Sequence, residues 1–199
     1  RSMVCRPADA RSQESLVTAA RGCDLLVNTV PAVFNERAMR AALRLGADYL
    51  DMASHMERDP FKAEQLGFHE DFVRKKALAL INSGAAPGLT NLLVAASART
   101  LDEVDRVHIR LFEETSSRAP VSTWSAEVAF DEAISRPRIY RDGRFRLAPR
   151  FSEPEWCRFP EPIGPARVVL AAQDEVGTLP YFVPMNHLDV KIGGNEFDR

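Results

Sequence analysis

The residues best suited to chemistry in this sequence are Gly84-Ala-Ala-Pro-Gly-Leu-Thr-Asn91. Here an apolar run, Leu78-Ala-Leu-Ile-Asn82, gives way to a Gly/Pro turn and then to an amphipathic segment. Gly84 and Gly88 let a ligand approach the backbone closely, and Pro87 stiffens the loop. The helix expected to follow presents free N–H groups and a positive dipole end, which suit a carboxylate or a carboxamide. The same residues also make a complete helix start with no ligand, Thr90 or Asn91 serving as cap. Two more strand exits resemble this one. Asn28-Thr29-Val30-Pro31 leaves the run Leu25-Leu-Val27, and its backbone could line a nucleotide ribose, with Pro31 fixing the turn. It also reads as a plain strand exit. Asp51 stands at the end of Tyr49-Leu-Asp51, where a carboxylate is costly unless it finds a partner or faces a cleft. It could contact ribose or substrate, or simply cap the next helix.

Other candidates are more diffuse. Trp124, Glu127 and Asp131 lie at helical spacing and could wall a cationic amino-acid substrate. The plainer reading puts Trp124 in the core and the acids on a solvated face. Asp174-Glu175 follows a strand and also reads as a solvated turn. One of Arg138, Arg141, Arg144 and Arg146 could hold a substrate carboxylate bidentately. His55, His69, His108 and His187 show no metal-ligand spacing, so no metal is expected. Ser54, Ser83 and Ser125 lack a nucleophile-elbow context, and no general acid stands out.

Elements must carry these residues. Asp24–Thr29, Asp48–Met52 and Ala77–Asn82 read as strands. Ser15–Ala20, a segment through Phe34, Ala38, Met39, Ala41, Ala42 and Leu45 stopped by Gly46, and Pro60–Lys76 read as helices. The last places Phe61, Phe68 and Phe72 on one stripe. Alternation with short connections predicts parallel strands and right-handed crossovers. The three strand ends then share the edge where open α/β sheets bind ligands. The second half changes character. A helix is expected over Thr90–Thr100, a one-face-buried strand over Arg106–Glu113 and a helix over Thr123–Ser135. A hairpin is expected over Arg138–Leu147 on Asp142-Gly143, with strands at Ala166–Ala172 and His187–Ile192. The proline-rich stretch Pro149–Pro165 reads as loop. The fold class is α/β, a partial Rossmann-like doubly wound parallel sheet (1–97) followed by an α+β substrate and dimerisation domain (98–199).

Composition narrows the function. The 199 residues are 45% apolar and 27% charged, as in a soluble globular protein. A net charge of −2 argues against nucleic acid as a partner. Cys5, Cys23 and Cys157 are odd in number and lack CxxC spacing, which fits a reducing, cytoplasmic compartment. No run reaches the roughly 20 apolar residues of a membrane span, and the N-terminal residues do not read as a signal peptide.

In order along the chain, Asp24-Leu-Leu-Val-Asn-Thr-Val-Pro31 with Phe34-Asn35, Gly46-Ala-Asp-Tyr-Leu-Asp51 and Gly84–Asn91 resemble the saccharopine dehydrogenase-like (saccharopine reductase) family. So do Tyr140-Arg-Asp-Gly-Arg144, Phe159-Pro-Glu-Pro-Ile-Gly164 and Asp174-Glu-Val-Gly-Thr-Leu-Pro180. Gly-x-x-Pro-Gly-x-x-Asn is also similar to the carboxynorspermidine dehydrogenase branch. The resemblance implies NADP or NAD as cofactor, bound through Asn28, Thr29, Val30, Pro31, Asp51, Gly84, Pro87 and Gly88. It implies an amino-acid-derived small molecule bound through Asn91, Trp124 and Glu175, a homodimer, and hydride transfer to or from an imine or secondary amine (a CH–NH donor). Family members open with a Gly-x-Gly-x-x-Gly turn that these residues lack, and they continue past the point where Arg199 stands. Saccharopine-reducing members resemble Gly-Leu-Asp-Pro-Gly where this chain has Ala86 before Pro87, which argues against saccharopine itself. The chain therefore reads as a middle fragment of such an oxidoreductase. The alternative is a non-catalytic truncated member acting as a dimerisation or interaction module, and a third reading is a reductase of a lipid-like substrate. Half a Rossmann sheet also predicts open apolar surface and association.

Overall fold

Buried apolar runs alternating with amphipathic segments build the first of two units. The computed structural model describes residues 3–116 and 125–194, and the chain separates into Arg1–Leu89 and Thr90–Arg199. Helix α1 (Gln13–Ala19) starts at Ser12, whose Oγ accepts the Ser15 N–H at 3.2 Å. Strand β1 (Leu25–Asn28), helix α2 (Asn35–Leu45) and strand β2 (Asp48–Asp51) follow, then helix α3 (His69–Lys75) and the short strand β3 (Ala79–Leu80). The strands are parallel in the order β1-β2-β3, with Asn28 opposite Asp51 and Leu50 opposite Leu80.

One sheet face packs on helices through Ala38, Met39, Ala42, Tyr49, Phe68 and Phe72. Burying a side chain such as Phe72 contributes about 1.5–3 kcal/mol. The opposite face is uncovered within this unit. Leu25, Val27 and Leu80 are 49%, 47% and 51% exposed, although parallel sheets normally bury both faces. The unit is thus a three-stranded parallel sheet with helices on one face. The single helix expected over Pro60–Lys76 is instead a 3₁₀ turn, Glu64–Phe68, running into α3. Ala63 is extended (φ −58°, ψ 124°), and Asp59 accepts the Phe61 N–H at 2.9 Å, so the chain turns before it can coil. Phe68 and Phe72 reach the core, while Phe61 is only half-buried.

The second unit begins with helix α4 (Leu89–Ala98), strand β4 (Arg106–Glu113) and helix α5 (Ala126–Ile134). Strands β5 (Arg138–Arg141) and β6 (Arg144–Leu147) form the expected hairpin, with Asp142 at φ +53° and Gly143 at φ +69°. Strands β7 (Glu155–Arg158), β8 (Pro165–Leu170) and β9 (His187–Gly194) complete a six-stranded sheet. β9 is its spine. It pairs in parallel with β4 along its whole length, while β5 and β8 share its other side, antiparallel, near its two ends. β7 lies inside the stretch expected to be loop. It pairs with β8 from Glu155–Val168 to Arg158–Pro165, and its flanking Pro154 and Pro160 stay outside the ladder.

Val107, Ile109, Leu188 and Val190 form the buried face of this sheet with Val176, Leu179 and Val183. Val94 and Ala98 pack on the same cluster, so α4 groups with the second unit, and the division falls after Leu89 rather than after residue 97. Among the described residues, no helix is long and apolar enough to cross a membrane.

Candidate functional site

Because β1, β2 and β3 run parallel, their exits share one edge, and buried polar side chains knit that edge together. Asn28, 6% exposed, accepts the Val30 N–H at 3.3 Å, which shapes the turn toward Pro31. Its Nδ2 donates to Asn35 Oδ1 at 2.7 Å, and Asn35 Nδ2 donates to the Ala53 carbonyl at 2.8 Å. Gln65 Nε2 donates to the same carbonyl at 2.9 Å and to Asp51 Oδ2 at 3.1 Å. Asp51 Oδ1 accepts the Asn82 N–H at 2.8 Å, and the Asp51 carbonyl accepts the Ser83 N–H at 2.8 Å. Ser54 and Asn82 side chains close the set at 2.7–2.9 Å. The exits of all three strands are thus cross-linked.

Asp51 is 1% exposed, and both its oxygens accept protein hydrogen bonds. Burial raises its pKa, opposed by the donors Asn82 and Gln65. Burial, and then the charge of Asp51, pushes the Tyr49 hydroxyl up as well. At this edge Thr29, Val30 and Pro31 are exposed, while Asn28 and Asp51 are buried behind them.

The Gly84–Gly88 loop doubles back on itself. Gly84 and Gly88 bridge one another, the Leu89 N–H donates to the Gly84 carbonyl at 3.0 Å, and the Ala86–Pro87 peptide is cis. Gly88 has φ +134°, and a Cβ there would lie 2.1 Å from the Gly84 oxygen. A Cβ on Gly84 would lie 2.7 Å from the Met52 carbonyl. Both positions therefore demand glycine for packing alone. Pro87 and Gly88 are buried, and Ala85 is the exposed residue of the loop.

In the second unit, Asn91 and Glu175 meet in one polar cluster. Thr90 Oγ1 donates to Glu175 Oε1 at 2.7 Å, Asn91 Nδ2 donates to Thr178 Oγ1 at 3.0 Å, and Thr178 Oγ1 donates to the Glu175 carbonyl at 3.3 Å. Glu175 is fully buried. Its Oε2 has no hydrogen-bond partner among the described residues, and burial raises its pKa. Glu132 on α5 is pushed up to about 8, by burial first and then by the charges of Asp174, Glu113 and Glu175, against Arg138. A carboxyl of that kind holds its proton at neutral pH. Sequence reading missed it because nothing local to residue 132 marks its burial. Trp124 lies outside the described residues, and Glu127 and Asp131 are solvent-exposed.

The hairpin arginines do not converge. Arg141 pairs with Glu153 and Arg146 with Asp142, Arg144 is exposed, and Arg138 Nε is buried without a partner among the described residues. The polar face of the sheet forms a crevice of about 530 Å³ that includes Arg110, Glu155, Asp189 and Lys191. Its floor is self-neutralised: Arg110 pairs with Asp189 and Glu155, and Lys191 with Glu155 at 2.7 Å.

Residues 1–85 match the family model described as saccharopine dehydrogenase NADP binding domain. Among solved structures, the chain is similar to apo saccharopine dehydrogenase (L-Glu forming) from Saccharomyces cerevisiae, with TM-score 0.67 at 12% identity. That match covers 93% of this chain but 43% of the yeast chain, so the present residues span less than half of its length. A Bacillus subtilis protein described as "putative oxidoreductase yvaA" matches over 92% of this chain and 49% of its own, at 9% identity and TM-score 0.36. The yeast match establishes a shared Rossmann-type fold.

Proposed function

We propose, from the match of residues 1–85 to the saccharopine dehydrogenase NADP binding domain model, that the protein is an NAD(P)-dependent oxidoreductase acting on an imine or secondary amine derived from an amino acid. That match, on a parallel sheet with its strand exits cross-linked at one edge, is the observation that carries the reading. The cofactor, when bound, supplies the hydride chemistry. The chain's own residues bind and orient. The exposed backbone of Thr29, Val30 and Pro31 would line the nicotinamide ribose. Asn28 and Asp51 would fix that edge from within, and the close-packed Gly84-Pro87-Gly88 turn would hold the exposed Ala85 beside it.

Asn91 and Glu175, with Trp124, are proposed to receive the substrate, whose ammonium the buried carboxyl of Glu175 suits. Imine reduction also needs a proton. Glu132, protonated at neutral pH, is the candidate to hold it. The three free cysteines support a reducing, cytoplasmic setting, and a homodimer is the proposed assembly.

The test is to follow NADPH absorbance with the intact natural protein, an amino acid and an aldehyde or keto acid. Oxidation that requires both carbonyl and amine supports the reading, and oxidation with the carbonyl alone would refute it. A second reading is a non-catalytic interaction module, supported by the open apolar face of Leu25, Val27 and Leu80. It predicts partner capture with no nucleotide binding.

A further inference from the structure

A cluster of charged side chains follows the strand exits of the first unit and is used by neither the edge network nor the crevice of the second unit. Glu36 lies in the first turn of α2, His55 follows β2, and Glu64 opens the 3₁₀ turn. One donor atom from each lies within 4.8 Å of the other two. His55 Nδ1 is 2.9 Å from Glu36 Oε2 and 3.8 Å from Glu64 Oε2. These are not loose surface groups, because the side chains are 16%, 16% and 5% exposed for His55, Glu36 and Glu64.

Main-chain bonds fix the donors in place. Glu64 Oε1 accepts the N–H groups of Arg58 at 2.8 Å and Glu57 at 3.1 Å, which turns Oε2 toward the imidazole. The His55 N–H donates to Gln65 Oε1 at 3.0 Å, and the His55 carbonyl accepts the Glu64 N–H at 2.9 Å. Behind the ring, Glu57 Oε2 stands 3.6 Å from Nε2. Glu57 is 78% exposed and too far for a hydrogen bond, so it contributes only negative charge on that side. Three carboxylates therefore surround one imidazole and one guanidinium. That guanidinium, Arg58, is 74% exposed and reaches in to Glu64 and Glu36.

We propose that Glu36, His55 and Glu64 form a binding site for a divalent first-row transition ion of the zinc class, and that Arg58 is the counter-ion the metal displaces. One imidazole nitrogen, two carboxylate oxygens and a water make a four-coordinate set. The lack of sulfur disfavours thiolate-seeking ions. No local spacing announces this site, because the three ligands come from separate elements rather than from one short motif. A bound ion would pin the 52–64 segment to α2.

The test is a Co²⁺ titration of the intact natural protein, read by the visible absorption of four-coordinate Co²⁺ and followed by Zn²⁺ displacement. The expected result is a saturable band that one equivalent of Zn²⁺ removes. H55A should abolish it and E36Q should weaken binding at least about tenfold, the equivalent of ~1.4 kcal/mol. R58A separates a metal site from a plain ion-pair network: loss of the competing cation should tighten Co²⁺ binding, and this exposed position keeps the test valid if H55A misfolds. H69A, at an exposed histidine outside the cluster, should leave the band unchanged. No band in either wild type or R58A, with both folded by circular dichroism, overturns the proposal. So does a band that survives H55A or vanishes in H69A.

Discussion

Replacing Asp51 by alanine tests whether this residue works from inside the protein or on its surface. Asp51 is 1% exposed and receives the Asn82 N–H at 2.8 Å and Gln65 Nε2 at 3.1 Å. Asp51→Ala strands the Asn82 N–H in a buried place. Gln65 loses one of two acceptors but keeps the Ala53 carbonyl at 2.9 Å. An orphaned buried donor costs about 1–3 kcal/mol and the weakened Gln65 bond about 1 more. Relief of the buried carboxyl offsets part of this, leaving roughly 2 kcal/mol. For a unit of this size, that lowers Tm by about 8–16 °C. Asp51→Asn keeps the volume and one acceptor and should lose about half as much.

The sign with pH follows from the raised pKa of Asp51. Its contribution is greatest below the unfolded carboxyl pKa and is lost as pH rises through the folded value. The Asp51→Ala penalty therefore grows as pH is lowered. Thermal melts by circular dichroism at several pH values measure all of this, with NADPH affinity determined in parallel. A variant that melts within a degree of wild type yet loses NADPH binding would refute the reasoning and place Asp51 on the ligand.

Three further outcomes are expected. Gly88→Ala puts a Cβ 2.1 Å from the Gly84 oxygen at φ +134°, so the turn must open; nucleotide affinity should fall at least about tenfold, the equivalent of ~1.4 kcal/mol, by fluorescence titration. Glu132 is raised to about 8, so wild-type stability should decline from the unfolded value near 4.5 up to about 8. Glu132→Gln should flatten that decline in urea midpoints taken across the window. Leu80→Lys on the open sheet face should shift sedimentation toward the monomer if that face drives self-association, and no change in mass would assign association elsewhere.

Local rules reached the turns and the alternation. The Gly84–Gly88 turn followed by a helix, the Asp142-Gly143 hairpin and the one-face-buried strand Arg106–Glu113 each depend on neighbouring residues, and each is present. Pairings across elements were not legible. Asn28 meets Asn35, and Gln65 meets Asp51, through folding that brings separate elements together. Nothing within a short window of His55 announces Glu36. β7 was hidden for a different reason: prolines crowd its ends, while β8 supplies the partner that makes Glu155–Arg158 a strand. The long helix expected through Phe61 lost to side-chain bonds from Asp59 and Glu64, which satisfy the backbone in a turn instead.

The central claim is that this sheet edge binds a nicotinamide nucleotide. Its most direct test is a fluorescence titration of NADPH and NADH against the intact natural protein and its Gly88→Ala variant, both checked as folded. The account predicts saturable enhancement of nicotinamide emission with the wild type, competed by the oxidised nucleotide and weakened in the variant. Folded wild-type protein that binds neither nucleotide would contradict it and leave the interaction-module reading in its place.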